Sequence, residues 1–235
     1  MRKNLYLNII IIFLMVIFFI QIAKNELVET SSMKIISNGS REEKTIYLTF
    51  DDGFSKENTE EILNILNHQN IPATFFFYGE FMNYFPSLIN KIINDGYVIG
   101  NHTLSHKTLT KLSKKEIKEE IIGWENIYRK ITNKAPNLIF RPPQGAINKE
   151  SYDILKSLGY EIVKWDVQIY DYDIYNDQGT AYVIKNIIKQ TKNGSIILMH
   201  TMTKSNVYAL ETIIEELQSK GFHFGNLLDL VYLKV

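Results

Sequence analysis

The sequence contains no cysteine in its 235 residues. This absence excludes disulfide bonds, cysteine-ligated zinc and a thiol nucleophile, and it leaves the redox compartment open. The chain also lacks an excess of either charge, because 26 Lys and Arg residues balance 26 Asp and Glu residues. Sequence-independent binding to nucleic acid needs a basic surface, so we expect no nucleic-acid partner. Nothing in the sequence indicates a protein partner.

Charged residues are absent from a long stretch near the N-terminus. An Arg-Lys pair precedes an apolar run from about Leu5 to Ala23, which is long enough for a transmembrane helix of about 20 residues. No A-x-A-like cleavage site follows the run. We therefore expect residues 1–23 to be a membrane anchor, with the basic end in the cytoplasm and the rest of the chain outside the cell. The alternative is a cleaved signal segment, which would make the protein secreted.

The remainder of the chain divides into a short polar segment and one domain. Residues 24–43 are polar, lack strong periodicity and are predicted to form a stalk. From residue 44 to residue 235, about six or seven strand-then-helix units favour a parallel sheet covered by helices. The first helix is expected to be capped by Asn58 with Glu61, and "LLDLVYL" is expected to form a final short strand. Either a barrel or an open doubly wound sheet satisfies this pattern.

Polar side chains that can bind a metal ion or transfer a proton follow the ends of the predicted strands. In barrels and in doubly wound sheets, ligands bind at the carboxyl ends of the strands. We therefore expect these side chains to meet at one site. They are Asp51 and Asp52 after the first strand, His102 and His106 after the third, Arg141 after the fourth, Asp171 after the fifth, and His200 at the end of the sixth.

Three of these residues suggest a metal site. His102 and His106 are four residues apart, a spacing that places both rings on one face if the segment makes a helical turn. The pair alone is a weak signal, because a surface loop accounts for it equally well. With Asp52 as an oxygen ligand, two nitrogens and one carboxylate leave open positions for water and substrate. Without cysteine, such a site suits zinc, cobalt, manganese, nickel or iron.

Four residues suggest acid–base chemistry at the same place. Asp51 is adjacent to Asp52, so one carboxylate can bind metal while the other accepts a proton from water. His200 suits the opposite role, because a histidine poised near neutrality can donate a proton to a leaving amine. Asp171 is the candidate to hold the His200 tautomer and raise its pKa. Arg141 is the candidate to orient Asp51 through a charge-assisted hydrogen bond.

Four motifs, "TFDDG", "HTLSH", "RPPQG" and "LMH", occur in this order and resemble those of the polysaccharide deacetylases, carbohydrate esterase family 4 (the NodB-homology domain). The similarity extends over about residues 44–232. It implies an α/β fold, a distorted (β/α)7-type barrel, that removes N-acetyl groups from amino sugars with a divalent metal ion, zinc being the first expectation. The matching positions imply Asp51 as the base, Asp52, His102 and His106 as metal ligands, Arg141 as the residue that steers the base, Asp171 as the residue that tunes the acid, Leu198 as the lining of the acetyl-methyl pocket, and His200 as the general acid.

Within that family, the chain looks closest to the peptidoglycan N-acetylmuramic acid deacetylases that prepare the muramic δ-lactam of spore cortex. The resembling stretches include "FRPPQGAIN" and "WDVQIYDYD". Those enzymes tend to carry a basic residue in place of Gln144 and Trp in place of Tyr172, so both positions are expected to bind substrate. They often lack the second aspartate of the first motif, which is present here as Asp52. The expected substrate is peptidoglycan, at N-acetylmuramic acid or N-acetylglucosamine. A chitooligosaccharide deacetylase and an inactive glycan-binding module of the same fold are the alternatives.

Overall fold

A computed structural model describes residues 11–21 and 33–233. The chain divides into two compact units, Met1–Lys34 and Ile35–Val235. The described part of the first unit contains one helix, α1, over residues 11–21. No helix within the two described ranges is both long enough and apolar enough to cross a membrane. The remainder of the predicted anchor lies outside the described residues.

The second unit begins before the predicted domain boundary, and several residues of the predicted stalk, between Ile36 and Arg41, pair with it. Ile36 makes a parallel bridge with Val163, and Arg41 Nη2 lies 2.6 Å from Asp166 Oδ2. The polar composition of this segment did not reveal the pairing, because the bridge uses backbone groups that every residue carries. The predicted stalk is therefore shorter at its C-terminal end.

The second unit is built on a parallel sheet of seven strands, which confirms the α/β prediction. The strands are β1 (Thr45–Asp52), β2 (Ala73–Phe77), β3 (Val98–Asn101), β4 (Ile139–Phe140), β5 (Glu161–Ile162), β6 (Ile196–His200) and β7 (His223–Phe224). Their order in the sheet is β5-β4-β3-β2-β1-β6, and β7 also pairs with β1. The sheet is a curled half-barrel whose ladder ends at β5 and β6. A parallel bridge between Val167 and Ile197 links the chain after β5 to β6.

Helices connect the strands and cover the sheet. Parallel neighbours require crossover connections of this kind. Two 3-10 turns, Leu109–Lys111 and Pro143–Gly145, lie in the loops after β3 and β4. The helices are α2 (Lys56–Gln69), α3 (Gly79–Tyr84), α4 (Pro86–Asn94), α5 (Lys114–Thr132), α6 (Lys149–Ser157), α7 (Thr180–Gln190), α8 (Lys204–Ser219) and α9 (Leu227–Tyr232).

The predicted cap of the first domain helix, Asn58 with Glu61, is wrong. Ser55 is the N-cap of α2, and its hydroxyl accepts a hydrogen bond from the Asn58 backbone N–H at 3.2 Å. The Asn58 side chain is buried and donates to the backbone carbonyl of Thr201 at 2.8 Å. Asn58 therefore ties α2 to the segment that follows β6.

The final segment is a helix, so the prediction of a last strand there is also wrong. Asn226 caps α9 by accepting a hydrogen bond from the Leu228 N–H at 2.9 Å. Leu227, Leu230 and Val231 are buried, and their spacing of three and four residues is that of one helical face. The apolar run is too short for its period to be distinguished from that of a strand.

Stacked aromatic rings hold the two central strands together. The ring centroids of Phe50 and Phe75 are 5.1 Å apart, and those of Phe75 and Phe77 are 5.7 Å apart. All three side chains are fully buried. Because β1 and β2 are fixed in this way, the polar residues at the carboxyl end of β1 start from a rigid backbone.

Candidate active site

A cavity of about 470 Å³ opens at the carboxyl ends of the strands. The site residues predicted from the sequence and found in its wall are Asp51, His106, Gln144, Tyr172, Leu198 and His200. Four further residues complete the lining, namely Phe54, Trp165, Gln168 and Met202.

Asp51 is held in the cavity wall by Arg141. Arg141 Nη1 donates to Asp51 Oδ1 at 2.8 Å and to the Thr49 hydroxyl at the same distance. The guanidinium is fully buried and lies over the Phe76 ring at 4.2 Å. Burial alone would raise the pKa of Asp51, but the charge of Arg141, followed by those of His102 and His200, outweighs burial and lowers it. Asp51 is therefore ionised at neutral pH.

His102 is buried, and its ring is fixed by the backbone of the strand beside it. His102 Nδ1 lies 2.7 Å from the Arg141 carbonyl oxygen, which can only accept, so Nδ1 carries the hydrogen. Its Nε2 is left with a lone pair and lies 3.6 Å from Asp51 Oδ2. Burial lowers the pKa of His102 to about 4. The imidazole is neutral, which is the form that binds metal ions.

His106 lies close to His102, and the two ring centroids are 4.9 Å apart. Burial lowers the pKa of His106 as well. The segment after β3 makes no helical turn but is a loop, in which Thr103 and His106 have φ values of 69° and 59°. Left-handed backbone at residues other than glycine is uncommon, and it collects at functional sites.

The histidine loop is held by buried polar residues that no sequence motif singles out. The Thr103 N–H donates to Asn101 Oδ1 at 2.9 Å. The Ser105 N–H and hydroxyl donate to the two carboxylate oxygens of Glu120, at 2.9 and 2.7 Å. Glu120 belongs to α5 and is 4 % exposed. These bonds fix the loop without a regular element.

Asp52 is turned toward two threonine hydroxyls. Its Oδ1 accepts hydrogen bonds from the Thr201 hydroxyl and the Gly53 N–H, each at 2.5 Å. Its Oδ2 accepts from the Thr59 hydroxyl at 2.8 Å. The side chain is fully buried, and burial raises the pKa of Asp52 to about 6 despite these hydrogen bonds.

In this arrangement Asp52 does not join the two histidines in a set that holds a metal. Within residues 11–21 and 33–233, no three His, Asp or Glu side chains are so arranged. The histidine pair nevertheless suits a divalent cation, because both imidazoles are neutral and neighbouring, with the ionised Asp51 beside them. The role of Asp52 as third ligand stays a prediction, and it requires that the carboxylate exchange a threonine hydroxyl for the metal.

His200 lies at the end of β6, beside Asp51 on the neighbouring strand β1, and is paired with Asp171. Its Nδ1 lies 2.8 Å from Asp171 Oδ1, and its backbone N–H donates to Asp171 Oδ2 at 2.9 Å. Burial lowers the pKa of His200, but the hydrogen bond and the charge of Asp171 outweigh burial and raise it. Because Nδ1 is hydrogen-bonded to Asp171, Nε2 is the nitrogen that can form a hydrogen bond with a ligand. Asp51 and His200 are paired in the register of the neighbouring parallel strands β1 and β6.

Asn206 is a site residue that sequence reasoning missed. It is fully buried in the first turn of α8, and its Nδ2 donates to Asp171 Oδ2 at 2.9 Å and to the His200 carbonyl at 2.7 Å. The available signal was an amide residue six positions after His200, at a helix start. Thr49 was missed too, although it shares the face of β1 that carries Asp51.

The cavity thus combines an ionised carboxylate, a histidine whose pKa is raised by Asp171, and an apolar wall. Leu198 is 1 % exposed and lies in that wall with Met202 and Trp165. A base and an acid in the wall of one cavity suit hydrolysis, in which water loses a proton and the leaving group gains one.

Comparison with known proteins agrees with the motifs. The profile of the polysaccharide deacetylase family matches residues 38–163. The peptidoglycan-N-acetylmuramic acid deacetylase PdaA of Bacillus subtilis is 37 % identical over 196 residues, which cover 83 % of this chain and 74 % of PdaA. A peptidoglycan-N-acetylglucosamine deacetylase of Bacillus cereus is 35 % identical over 194 residues, covering 81 % of this chain and 69 % of that protein.

The known structure of PdaA, described as a family 4 carbohydrate esterase, superposes with a TM-score of 0.83 at 35 % identity and covers 91 % of this chain and 90 % of that one. The chain belongs to the polysaccharide deacetylase family. The resemblance found in the sequence is confirmed, and with it the match of the fold to that of the family 4 deacetylases.

Proposed function

We propose that this protein is a metal-dependent hydrolase that removes N-acetyl groups from the amino sugars of peptidoglycan. The observation that carries the proposal is the placement of Asp51, kept ionised by Arg141, beside His200, whose pKa is raised by Asp171, in one cavity. The names of the relatives, which act on N-acetylmuramic acid and N-acetylglucosamine in peptidoglycan, support the substrate class.

His102, His106 and Asp52 would hold the divalent cation. Neutral imidazoles and a carboxylate suit zinc first, and cobalt, manganese, nickel or iron as well. When bound, the cation supplies positive charge that polarises the acetyl carbonyl and lowers the pKa of the attacking water.

Asp51 acts as the base in the first step. The water oxygen forms a bond to the carbonyl carbon of the acetamide, and Asp51 accepts the proton that the water releases. The buried ion pair with Arg141 keeps Asp51 unprotonated before the step and fixes the position of its free oxygen, Oδ2. A positioned base contributes about 10²–10⁴-fold to such a rate.

His200 acts as the acid in the second step. The C–N bond breaks, His200 Nε2 donates its proton to the departing amine nitrogen, and acetate is the other product. Asp171 stabilises the imidazolium before transfer and holds the ring in place, while Asn206 holds Asp171. Removal of the Asp51 proton and reprotonation of His200 by solvent complete the cycle.

The walls of the cavity account for what the enzyme binds. Leu198 gives the acetyl methyl group an apolar contact, since it is buried and faces the cavity with Met202. Tyr172 is 43 % exposed and its ring centroid lies 5.5 Å from that of His200. An exposed aromatic ring at the mouth offers a stacking surface for a sugar ring. Gln144, on the facing loop, offers amide hydrogen bonds.

The N-terminal segment bears on the cellular location in which the enzyme acts. We retain the proposal that residues 1–23 anchor the protein in the cell membrane, or direct its secretion if they are cleaved, with the catalytic domain outside. The apolar run after an Arg-Lys pair supports it. Peptidoglycan lies outside the membrane, so an exported domain agrees with the proposed substrate. A role in sporulation is proposed on the resemblance alone.

The test is mass spectrometry of defined glycans before and after incubation with the purified, metal-loaded chain. Peptidoglycan fragments should lose acetyl groups, and fragmentation should map the loss to muramic acid or to glucosamine. Loss from chitooligosaccharides alone would make the protein a chitooligosaccharide deacetylase. No loss from any glycan, with metal bound, would leave an inactive glycan-binding module.

A further inference from the structure

The ammonium group of Lys164 lies next to the cavity mouth with no acidic partner. Its Nζ is 3.5 Å from the point where a Cβ on Gly145 would stand, and Gly145 follows the cavity-lining Gln144. Throughout the described part of the chain, no carboxylate lies within ion-pair distance of this group. Trp165, the next residue, is also part of the cavity wall.

The backbone of Lys164 is fixed on both sides. Its N–H donates to the Ile36 carbonyl at 2.7 Å, and its carbonyl accepts from Arg141 Nη2 at 3.1 Å. The guanidinium that holds Asp51 therefore also fixes the backbone position from which the Lys164 side chain extends. Its Cε lies 3.2 Å from the Gly145 Cβ position, so the absence of a side chain at Gly145 makes room for the lysine stem.

Gln144, which precedes Gly145 in the chain, offers hydrogen-bond donors on the same loop. Its Oε1 accepts from the Thr108 hydroxyl at 3.2 Å, which leaves the two N–H groups of Nε2 for a ligand. The backbone of Gln144 has a φ of 59°, an uncommon conformation for a residue other than glycine. Residues with such strained backbone cluster at active sites and at sites that hold a ligand.

The wall of the cavity includes the ionised Asp51 and no lysine or arginine. In the proposed reaction the cationic groups of the cavity, the metal ion and His200, act on the acetamido group itself. A carboxylate elsewhere on the substrate is therefore better accommodated beside Lys164 than inside the cavity. Amide donors and an ammonium group together match the acceptors of a carboxylate.

We propose that Lys164, assisted by Gln144, is a specificity-determining residue that binds a carboxylate carried by the glycan next to the reacting acetamido group. The inference rests on the proposed deacetylase function and narrows its substrate to an anionic glycan. Peptidoglycan has two sources of such a carboxylate. One is the lactyl group of muramic acid that carries no peptide, and the other is the attached peptide.

The test compares three substrates of equal glycan length with the metal-loaded full chain. Peptide-free strands carry lactyl carboxylates, peptide-bearing strands carry only peptide carboxylates, and chitooligosaccharides carry none. Lys164→Gln should lower kcat/KM about tenfold on a carboxylate-bearing substrate, through KM, and leave chitooligosaccharides unchanged. Lys164→Arg should retain the preference. Lys118→Gln is the matched control, because that exposed lysine lines a separate groove.

The outcomes separate this inference from the proposed function. A loss confined to peptide-free strands assigns the lactyl group, and a loss confined to peptide-bearing strands assigns the peptide. An equal effect on all three substrates, or none, would overturn the role of Lys164. If no substrate releases acetate, the proposed function fails. Binding of the glycan strands, measured by calorimetry, then still tests the role of Lys164. Lys164→Gln should weaken binding of the anionic strands about tenfold, and unchanged binding would overturn the inference.

Discussion

Arg141 Nη1 donates to Asp51 Oδ1 at 2.8 Å, and both side chains are buried. This pair joins the end of β1 to the end of β4, two strands that are not neighbours in the sheet. It lowers the pKa of the proposed base and fixes one of its oxygens. The proposed catalytic role of Asp51 and the stability of the domain therefore depend on the same contact.

Replacing Arg141 should cost both stability and activity. Arg141→Met leaves Asp51 buried without its partner, and breaking a buried pair in this way costs about 3–5 kcal/mol of unfolding free energy. Urea denaturation at neutral pH measures it. Arg129→Met is the control, because Arg129 is half exposed and its pair with Glu125 spans 3.7 Å; exposed pairs are worth about 0–1 kcal/mol. Equal losses in the two variants would contradict the structural role of Arg141.

Metal binding should depend on both histidines and on Asp52. His106→Ala and Asp52→Asn should each weaken zinc affinity, measured by calorimetry, by more than the roughly 10–100-fold typical of losing a residue that only supports a ligand. His106 is only partly buried, so its loss should leave the fold intact. If Asp52→Asn binds zinc as tightly as the unmodified protein, Asp52 is not a ligand and its contacts with the threonines are its whole role.

The pH dependence of turnover should reveal the coupling of His200 to Asp171. The Asp171 carboxylate raises the pKa of His200, so the acid stays protonated to higher pH and activity falls as the pH rises through that pKa. Asp171→Asn removes the charge, lowers the pKa and should move the alkaline limb of kcat to lower pH. Asp173→Asn, whose carboxylate contacts Tyr170 and Tyr175 instead, should leave the limb in place. A uniform loss of rate in Asp171→Asn, without displacement of the limb, would make Asp171 structural only.

The sheet and the meeting of the site residues were predictable from the sequence because both follow from local patterns. Strand alternation in "TIYLTF" and the repeated strand–helix units predict a parallel sheet, and parallel strands bring their carboxyl ends to one edge. That geometry alone places Asp51, Arg141 and His200 together. The order of four motifs then identifies the family.

The parts that were not predicted depend on long-range contacts or on loop conformation. The orientation of Asp52 is set by Thr201, which is distant in sequence and gives no local signal. The approach of His102 and His106 arises from left-handed residues in a loop, a conformation that the four-residue spacing does not reveal. The final helix was missed because a short apolar run has no distinguishable period.

The most direct measurement of the central claim is acetate release from peptidoglycan by the metal-loaded protein, compared with Asp51→Asn. The unmodified protein should release acetate, and Asp51→Asn should be slower by about 10²–10⁴-fold while binding metal with unchanged affinity. Loss of metal affinity along with activity would instead place Asp51 among the ligands. Acetate release by Asp51→Asn at nearly the unmodified rate would contradict the account.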